Sequence, residues 1–307
     1  MQEKSENQQI HLPLLSEKQV YLSIKREDLI HPSISGNKFR KLKYNLIEAK
    51  QTGLDTILTF GGAFSNHIAA TAYAGQLHGF KTIGIIRGEE LSEKWDANPT
   101  LKMASNYGMQ FKFISRDAYR NRDHPSYSKE FSKELRYEFG SFYLLPEGGT
   151  NALAIRGCEE ILNPSDANFD TICCSVGTGG TVAGIINSSF QNQQVLGFPA
   201  LKGDFINQDI RKFAPGGDYK IVSGYHFGGY AKVTAELIDF INGFKAQTRI
   251  PLDPVYTGKM VFGILDLIEK NYFEPGSNIL AIHTGGLQGI VGMNPVLKRK
   301  NLPLLSV

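Results

Sequence analysis

Ser35-Gly36-Asn37-Lys38-Phe39-Arg40-Lys41-Leu42-Lys43-Tyr44 is the stretch on which the reading of this chain turns. Lys38 follows a Gly-Asn pair and opens a segment with Phe39, Leu42, Leu46 and Ile47 at helical spacing. Upstream, Tyr21–Leu29 reads as a strand followed by a charged turn. A strand, a loop with Gly36 and a helix opening on a lysine make a seat for a cofactor. A helix N-terminus offers free N–H groups and the positive end of the dipole. An amine placed there is biased toward its neutral form, as a Schiff-base lysine requires. Taken alone, Lys38 reads as one surface lysine among many. Three later stretches change that.

Composition sets the outer bounds. The 307 residues suffice for one large or two medium domains, and 41% hydrophobic with 21% charged residues is an ordinary globular balance. A net charge of +3 is too weak to argue for nucleic acid or a membrane surface, and neither is expected as partner. No apolar run reaches the length of a membrane span. The first ten residues are polar, carry no signal-peptide core and read as a loose tail. Cys158, Cys173 and Cys174 include an adjacent pair and no Cys-x-x-Cys, so they read as small core hydrophobes in a reduced, cytoplasmic protein. No metal site is expected.

Short strand signals appear near His11–Leu15 and Val20–Ile24. The Lys38 helix runs to about Lys50. Thr56–Phe60 is a buried-type strand that leads into Gly61-Gly62-Ala63-Phe64-Ser65-Asn66-His67 and a small-residue helix. Strands are expected at Lys81–Arg87, Gln110–Ile114 and Phe142–Leu145, helices at Asn98–Tyr107 and Ser128–Phe139, and loop over 115–126. After the Pro146–Asn151 turn comes a helix with Ala152, Ile155 and Ile161. Phe169–Ser175 is an apolar strand, followed by Val176-Gly177-Thr178-Gly179-Gly180-Thr181 and a helix over Val182–Ser189. Val195–Pro199 is a strand, 203–230 is irregular, Lys232–Phe244 and Lys259–Lys270 are helices, and Asn278–Ile282 is a last buried strand ending in His283-Thr284-Gly285-Gly286. The alternation predicts α/β architecture with mainly parallel sheets.

Four stretches carry chemistry. The strand–glycine loop–helix at 175–184 is a phosphate cradle by type. Val182 stands where a dinucleotide fingerprint needs glycine, and no Gly-Lys-Ser/Thr follows, so a single phosphate on a small cofactor fits better. At Gly62–His67, Ser65 and Asn66 sit where a helix cap belongs; capping alone explains Ser65, while a carboxylate-binding turn explains both. Val255-Tyr256-Thr257-Gly258-Lys259 opens a helix, with Tyr256 either core or laid over a cofactor ring. His283–Gly286 ends a buried strand, where open α/β sheets collect ligands.

Gly36-Asn37-Lys38 with Arg40-Lys41-Leu42, then Ser65-Asn66-His67, Gly177–Thr181, Pro254-Val255-Tyr256-Thr257-Gly258-Lys259 and His283–Gly286 occur in this order. Together they resemble the pyridoxal-phosphate enzymes of the 1-aminocyclopropane-1-carboxylate (ACC) deaminase/D-cysteine desulfhydrase family, from about Lys25 to Gly286. The resemblance implies two open twisted α/β domains of the tryptophan-synthase-β type (fold type II), with residues 49–146 inserted between the parts 1–48 and 147–307 of a larger cofactor domain. It implies pyridoxal 5'-phosphate held by Lys38, Lys41, Asn66, Gly177, Thr178, Gly179, Gly180, Thr181, Tyr256, Thr257 and Thr284. Lys38, Ser65 and Tyr256 are then catalytic, and a small amino-acid substrate meets Ser65, Asn66, His67, Tyr256 and Thr284. A homodimer is expected from the family.

The chain departs from the family at Ser35, which replaces a glycine, at Phe64, which replaces glutamine, and after Gly286, where the usual aromatic tail is missing. Ring-opening deaminases carry Glu after the tyrosine and Leu after the histidine; Thr257 and Thr284 follow the desulfhydrase pattern. A carboxylate at the pyridine nitrogen makes the ring a strong electron sink, whereas a neutral hydroxyl leaves it weaker. A weak sink suffices for a thiolate leaving group. The expectation is β-elimination from D-cysteine to pyruvate, ammonia and sulfide. The alternatives are ACC deamination to 2-oxobutanoate and ammonia, elimination from another D-amino acid, and a cofactor-binding relative without catalysis.

Overall fold

The computed structural model describes residues 4–34, 36–203 and 205–306. Ser35 lies outside them. In chain order the elements are β1 (Asn7–Ile10), α1 (Pro13–Glu17), β2 (Tyr21–Lys25), α2 (Asn37–Gln51), β3 (Thr56–Gly62), α3 (Asn66–His78), β4 (Lys81–Arg87), α4 (Pro99–Asn106), β5 (Gln110–Ile114), α5 (Arg116–Asn121), α6 (Pro125–Phe139) and β6 (Tyr143–Leu145). They continue with α7 (Ala152–Glu159), β7 (Thr171–Val176), α8 (Gly180–Ser188), β8 (Gln194–Pro199), α9 (Phe205–Arg211), β9 (Tyr219–Ile221), α10 (Ala235–Thr248), α11 (Thr257–Glu269), β10 (Asn278–Ile282) and α12 (Gly289–Arg299). The chain divides into two compact units, Met1–Lys41 with Asn151–Val307, and Leu42–Thr150.

The larger unit is built on a six-stranded sheet in the order β1-β2-β10-β7-β8-β9. Only the β1–β2 pair is antiparallel. Alternate residues of each strand serve opposite faces. Leu22, Ile24, Cys173, Leu196, Phe198, Ile279 and Ala281 share one core with α10 and α11. Ile172, Cys174, Val176, Val195, Leu280 and Ile282 share the other with α7, α8 and α9. Each buried Leu, Ile or Val contributes about 1.5–3 kcal/mol, and burial on both faces is what a parallel sheet requires. Adjacent Cys173 and Cys174 thus belong to different cores, and all three cysteines are free and buried.

The smaller unit is a four-stranded parallel sheet in the order β5-β4-β3-β6. Leu58, Phe60, Ile83 and Ile85 pack with Tyr119, Phe131 and Leu135 on one side. Ile68, Ala72, Ile86, Leu101 and Met109 pack together on the other.

Several expectations are corrected. Residues 7–10 of the presumed tail form β1 by antiparallel pairing with β2, and Asn7 Nδ2 anchors it by donating to Asp166 Oδ1 (2.7 Å), itself paired with buried Lys25 (2.7 Å). The stretch 11–15 starts a helix, not a strand: Pro13 sits at the first helical position, where its missing N–H costs nothing. Within 115–126, the Ser115 hydroxyl accepts from Ala118 N–H and caps α5, whose Tyr119 is buried. The irregular region 203–230 contains α9 and the three-residue edge strand β9, both too short to show a period.

Candidate active site

The turn bearing Lys38 is fastened from three sides within the larger unit. Gly36 adopts φ +63°, and a Cβ there would lie 1.9 Å from the carbonyl oxygen of Thr284, so only glycine lets the loop meet the end of β10. Gly36 N–H donates to Glu27 O (3.1 Å), and Asn37 N–H donates to Thr284 O (3.3 Å). Asn37 Nδ2 donates to Thr181 Oγ1 at 2.7 Å, joining the first turns of α2 and α8. Arg40 is buried and gives Glu27 a two-point pair, Nε to Oε2 at 3.0 Å and Nη2 to Oε1 at 2.8 Å. The carbonyl of Arg40 abuts Gly157, where a Cβ would come within 2.0 Å.

This enclosure sets the electrostatics. Burial, then the charge of Lys41, push the Lys38 amine down from 10.5 to about 7. Lys41 is 2% exposed, and burial lowers its pKa as well. An amine near neutrality is available as nucleophile and base at physiological pH.

The glycine loop lies at the carboxyl end of β7. Gly179 caps α8 at φ +82° with no side-chain hydrogen bond, so the first-turn N–H groups of α8 are not taken by a capping side chain. Thr178 is exposed; Gly180 and Thr181 are buried. A Cβ at Gly177 would stand 3.2 Å from the Tyr256 ring, and one at Gly179 would stand 3.2 Å from Ile210. The glycine loop is therefore framed by Tyr256 on one side and α9 on the other. Two lysines, two helix N-termini and a glycine-rich turn suit a small anionic cofactor carrying a carbonyl for Lys38.

Tyr256 is half-buried at the N-terminus of α11. Asp253 shapes this turn: its carboxylate accepts from Tyr256 N–H (2.7 Å) and Thr257 N–H (3.3 Å), and its own N–H donates to Thr257 Oγ1 (2.9 Å). Burial pushes the Asp253 carboxyl up to about 7. Thr257 is fully buried in this knot, while Thr284 retains 8% exposure and lies 3.2 Å, hydroxyl to hydroxyl, from Ser175. His283 is neutral in character: burial lowers its pKa, Nδ1 accepts from Gly285 N–H, and Nε2 therefore donates to Pro251 O (2.7 Å).

Ser65, Asn66 and His67 belong to the smaller unit. Ser65 Oγ caps α3 by accepting from Ile68 N–H (3.3 Å), and Ser65 N–H donates to Gly62 O (3.0 Å). Ser65 and Asn66 remain half-exposed at the carboxyl end of β3, and Phe64 beside them is 51% exposed. His67 is buried at 1%, with Nε2 2.8 Å from Thr59 Oγ1 and its ring against Gly149.

Glu27, Arg40, Ser175 and Asp253 were given no site role from the sequence. Arg40 had a signal, standing between Lys38 and Lys41. The others are brought in by tertiary structure alone. Among the described residues, no group of His, Cys, Asp and Glu is arranged to hold a metal ion, and no helix is long and apolar enough to cross a membrane.

Comparison with known proteins gives a consistent result. The family model described as "Pyridoxal-phosphate dependent enzyme" matches residues 5–285. A Pyrococcus horikoshii protein named for ACC deaminase is 33% identical over 87% of this chain and 84% of its own length. The mitochondrial bifunctional D-cysteine desulfhydrase/ACC deaminase of Arabidopsis thaliana is 32% identical over 88% of this chain and 73% of its own. A crystal structure titled as an ACC deaminase homologue superposes with a TM-score of 0.76 at 29% identity, covering 93% of this chain and 90% of that one.

Proposed function

This chain belongs to the pyridoxal-phosphate dependent enzymes, and among them to the ACC deaminase/D-cysteine desulfhydrase family; from that premise we propose that it converts D-cysteine to pyruvate, ammonia and hydrogen sulfide. The observation that carries the choice is the Ser175–Thr284 hydroxyl pair, two neutral groups 3.2 Å apart at the carboxyl ends of β7 and β10. Neutral hydroxyls at the ring nitrogen would leave the cofactor only a moderate electron sink, which suits a leaving group as ready as thiolate.

Each residue then has a task. Lys38 would hold the cofactor covalently and would serve as the base for the Cα proton; its depressed pKa suits both roles. Lys41 and the N–H groups of Gly177–Thr181 hold the phosphate. Bound there, pyridoxal phosphate supplies the sink for the electron pair left at Cα. The Ser65–Asn66 turn would take the substrate carboxylate, with Asn66 offering an amide donor for the cofactor. Tyr256 covers the ring. His67 supports the turn from behind, through Thr59 and Gly149. In the net reaction one water enters; the Cα–H, Cβ–S and Cα–N bonds break; sulfur leaves with the C–S electron pair and takes up a proton as sulfide; Cβ takes up a proton to become the methyl group; nitrogen leaves as ammonia, and water supplies the keto oxygen at Cα. The same reading takes the protein as a cytoplasmic homodimer.

ACC deamination is the second reading, favoured by the names of the relatives. The experiment is a keto-acid assay over D- and L-amino acids and ACC, with sulfide detection. Pyruvate and sulfide in equal amounts from D-cysteine support the proposal. 2-Oxobutanoate from ACC at higher kcat/KM would replace it with the second reading.

A further inference from the structure

Thr284 and Gly285 share one peptide group, and that group is gripped at both ends. Its oxygen accepts from Asn37 N–H (3.3 Å), in the turn that bears Lys38. Its N–H donates to Nδ1 of His283 (3.2 Å). In a trans peptide the C=O and N–H point in opposite directions, so the two bonds together fix the tilt of the plane. The chain needs that grip. Gly285 and Gly286 have φ of +79° and +91°, and successive glycines leave the backbone its widest freedom. The same Thr284 oxygen is the atom that a Cβ at Gly36 would strike first. A small rotation of this peptide therefore moves the Lys38 turn.

His283 is placed to supply the grip. Its own N–H donates to Lys25 O (3.0 Å), which carries the β2–β10 ladder one residue past the strand and anchors the base of the side chain. The residue is 1% exposed. Its second nitrogen, Nε2, donates to Pro251 O (2.7 Å). Pro251 stands two residues before Asp253, whose carboxylate holds the N–H groups of Tyr256 and Thr257. The partners dictate the tautomer. An N–H faces Nδ1 and a carbonyl faces Nε2, so Nδ1 is bare and Nε2 carries the proton. Asp28 Oδ1 lies 3.7 Å from Nδ1, beyond hydrogen-bond reach. Arg26 takes that carboxylate in a two-point pair, at 2.9 and 2.7 Å. Burial, the larger influence, works against a second proton on the ring.

We propose that His283 is a positioning residue: its bare Nδ1 sets the Thr284–Gly285 peptide and through it the Lys38 turn, while its Nε2–H keeps the Tyr256–Thr257 turn in register with them. The inference rests on the reading that Lys38 holds the cofactor. The two nitrogens have separate tasks, and an apolar side chain of similar size can do neither.

Two amide variants separate the tasks. In His283→Asn the amide oxygen falls near the place of Nδ1 and can accept from Gly285 N–H. In His283→Gln the amide nitrogen falls near the place of Nε2 and can donate to Pro251 O. In the full chain, His283→Gln should speed backbone hydrogen exchange at Gly36, Asn37 and Gly285 by about fivefold or more, and leave Tyr256 and Thr257 near the wild-type rate. His283→Asn should do the reverse. On dilution of the cofactor-loaded protein, pyridoxal phosphate should leave His283→Gln faster by a similar factor, and His283→Asn within about twofold of the wild-type rate. His283→Leu should show both changes at once. Nitrogen NMR of histidine-labelled wild type should show a neutral ring protonated at Nε2 from about pH 6 to about pH 8. Matching exchange and release in the two amide variants, cofactor loss confined to His283→Asn, or a wild-type ring protonated at Nδ1 would overturn the proposal. If one amide variant does not fold, the other and the NMR tautomer decide it. Absence of keto acid from D-cysteine and ACC in wild type would remove the proposed reaction, and a cofactor band that survives Lys38→Ala would remove the reading of Lys38. The exchange pattern and the tautomer still judge His283 in either case.

Discussion

Asn37 and Thr181, 144 residues apart in the chain, share a 2.7 Å hydrogen bond that locks the first turn of α2 to the first turn of α8. The lysine and the glycine loop are thus registered by a side-chain contact rather than by a shared element. Asn37→Ala removes one neutral hydrogen bond, worth about 1 kcal/mol. It should cost little stability and weaken pyridoxal-phosphate affinity about fivefold or more, read by equilibrium titration of the apo protein. Unaltered affinity would mean that the two turns are registered without it.

Lys38→Ala should abolish turnover and the absorption band of lysine-bound cofactor. Phosphate contacts from Lys41 and the glycine loop should still retain some cofactor, released by dialysis faster than from wild type. Persistence of the band would move the attachment to another lysine.

Gly179→Val puts a β-branched side chain at φ +82°, with Ile210 3.2 Å from the new Cβ. Both effects deform the loop, at a cost of roughly 1–2 kcal/mol for the backbone alone. Cofactor affinity should fall sharply while the apo far-UV spectrum stays native. Unchanged affinity would reduce the loop to an ordinary turn.

The depressed pKa of Lys38 has a signature in stability. The unfolded chain holds this proton to about pH 10.4, the folded chain only to about 7. Between those values the unfolded state binds more protons, so stability rises with pH across the window. Lys41 and Lys259, also lowered by burial, act in the same direction. Apo Lys38→Met should therefore show a flatter rise of Tm from about pH 7 to about pH 9 than apo wild type. Equal slopes would restore the amine to an ordinary value.

Thr284→Leu removes the partner of the Ser175 hydroxyl and offers an apolar wall to ring methylenes. Combined with Thr257→Glu, it should shift the ratio of kcat/KM from D-cysteine toward ACC by roughly tenfold, the equivalent of 1–2 kcal/mol of differential transition-state binding. Thr257 is fully buried beside Asp253, so the glutamate variant should also lose stability, and the single Thr284 variant gives the cleaner comparison. An unmoved ratio would direct attention to Phe64.

The parts legible in the sequence were those with local signals. The strands at Thr56–Gly62, Lys81–Arg87 and Asn278–Ile282 are apolar runs, and the glycine loop and Gly36 announce special backbone. What stayed hidden depends on distant partners. Nothing in Asn7–Ile10 signals a strand until Asp166 is in place. The left-handed turn at Phe227–Ala231 has no period and is held by a lysine about thirty residues away. Asp253 looks like an ordinary turn former, yet it is the residue that fixes Tyr256.

The pairing of β2 with β10 joins strands from opposite ends of the chain, Tyr21–Lys25 with Asn278–Ile282. During synthesis on the ribosome, Leu42–Thr150 emerges as an unbroken segment with all four strands of its own sheet. It can fold while β2 still waits for its partner. Through that interval one edge of β2 has no neighbour, the kind of exposed strand that recruits other chains. β1, only four residues long, is available at once and covers the other edge. The short polar strand at the start of the chain is thus a guard for nascent β2, and shortening it should lower the soluble yield before it touches the finished enzyme.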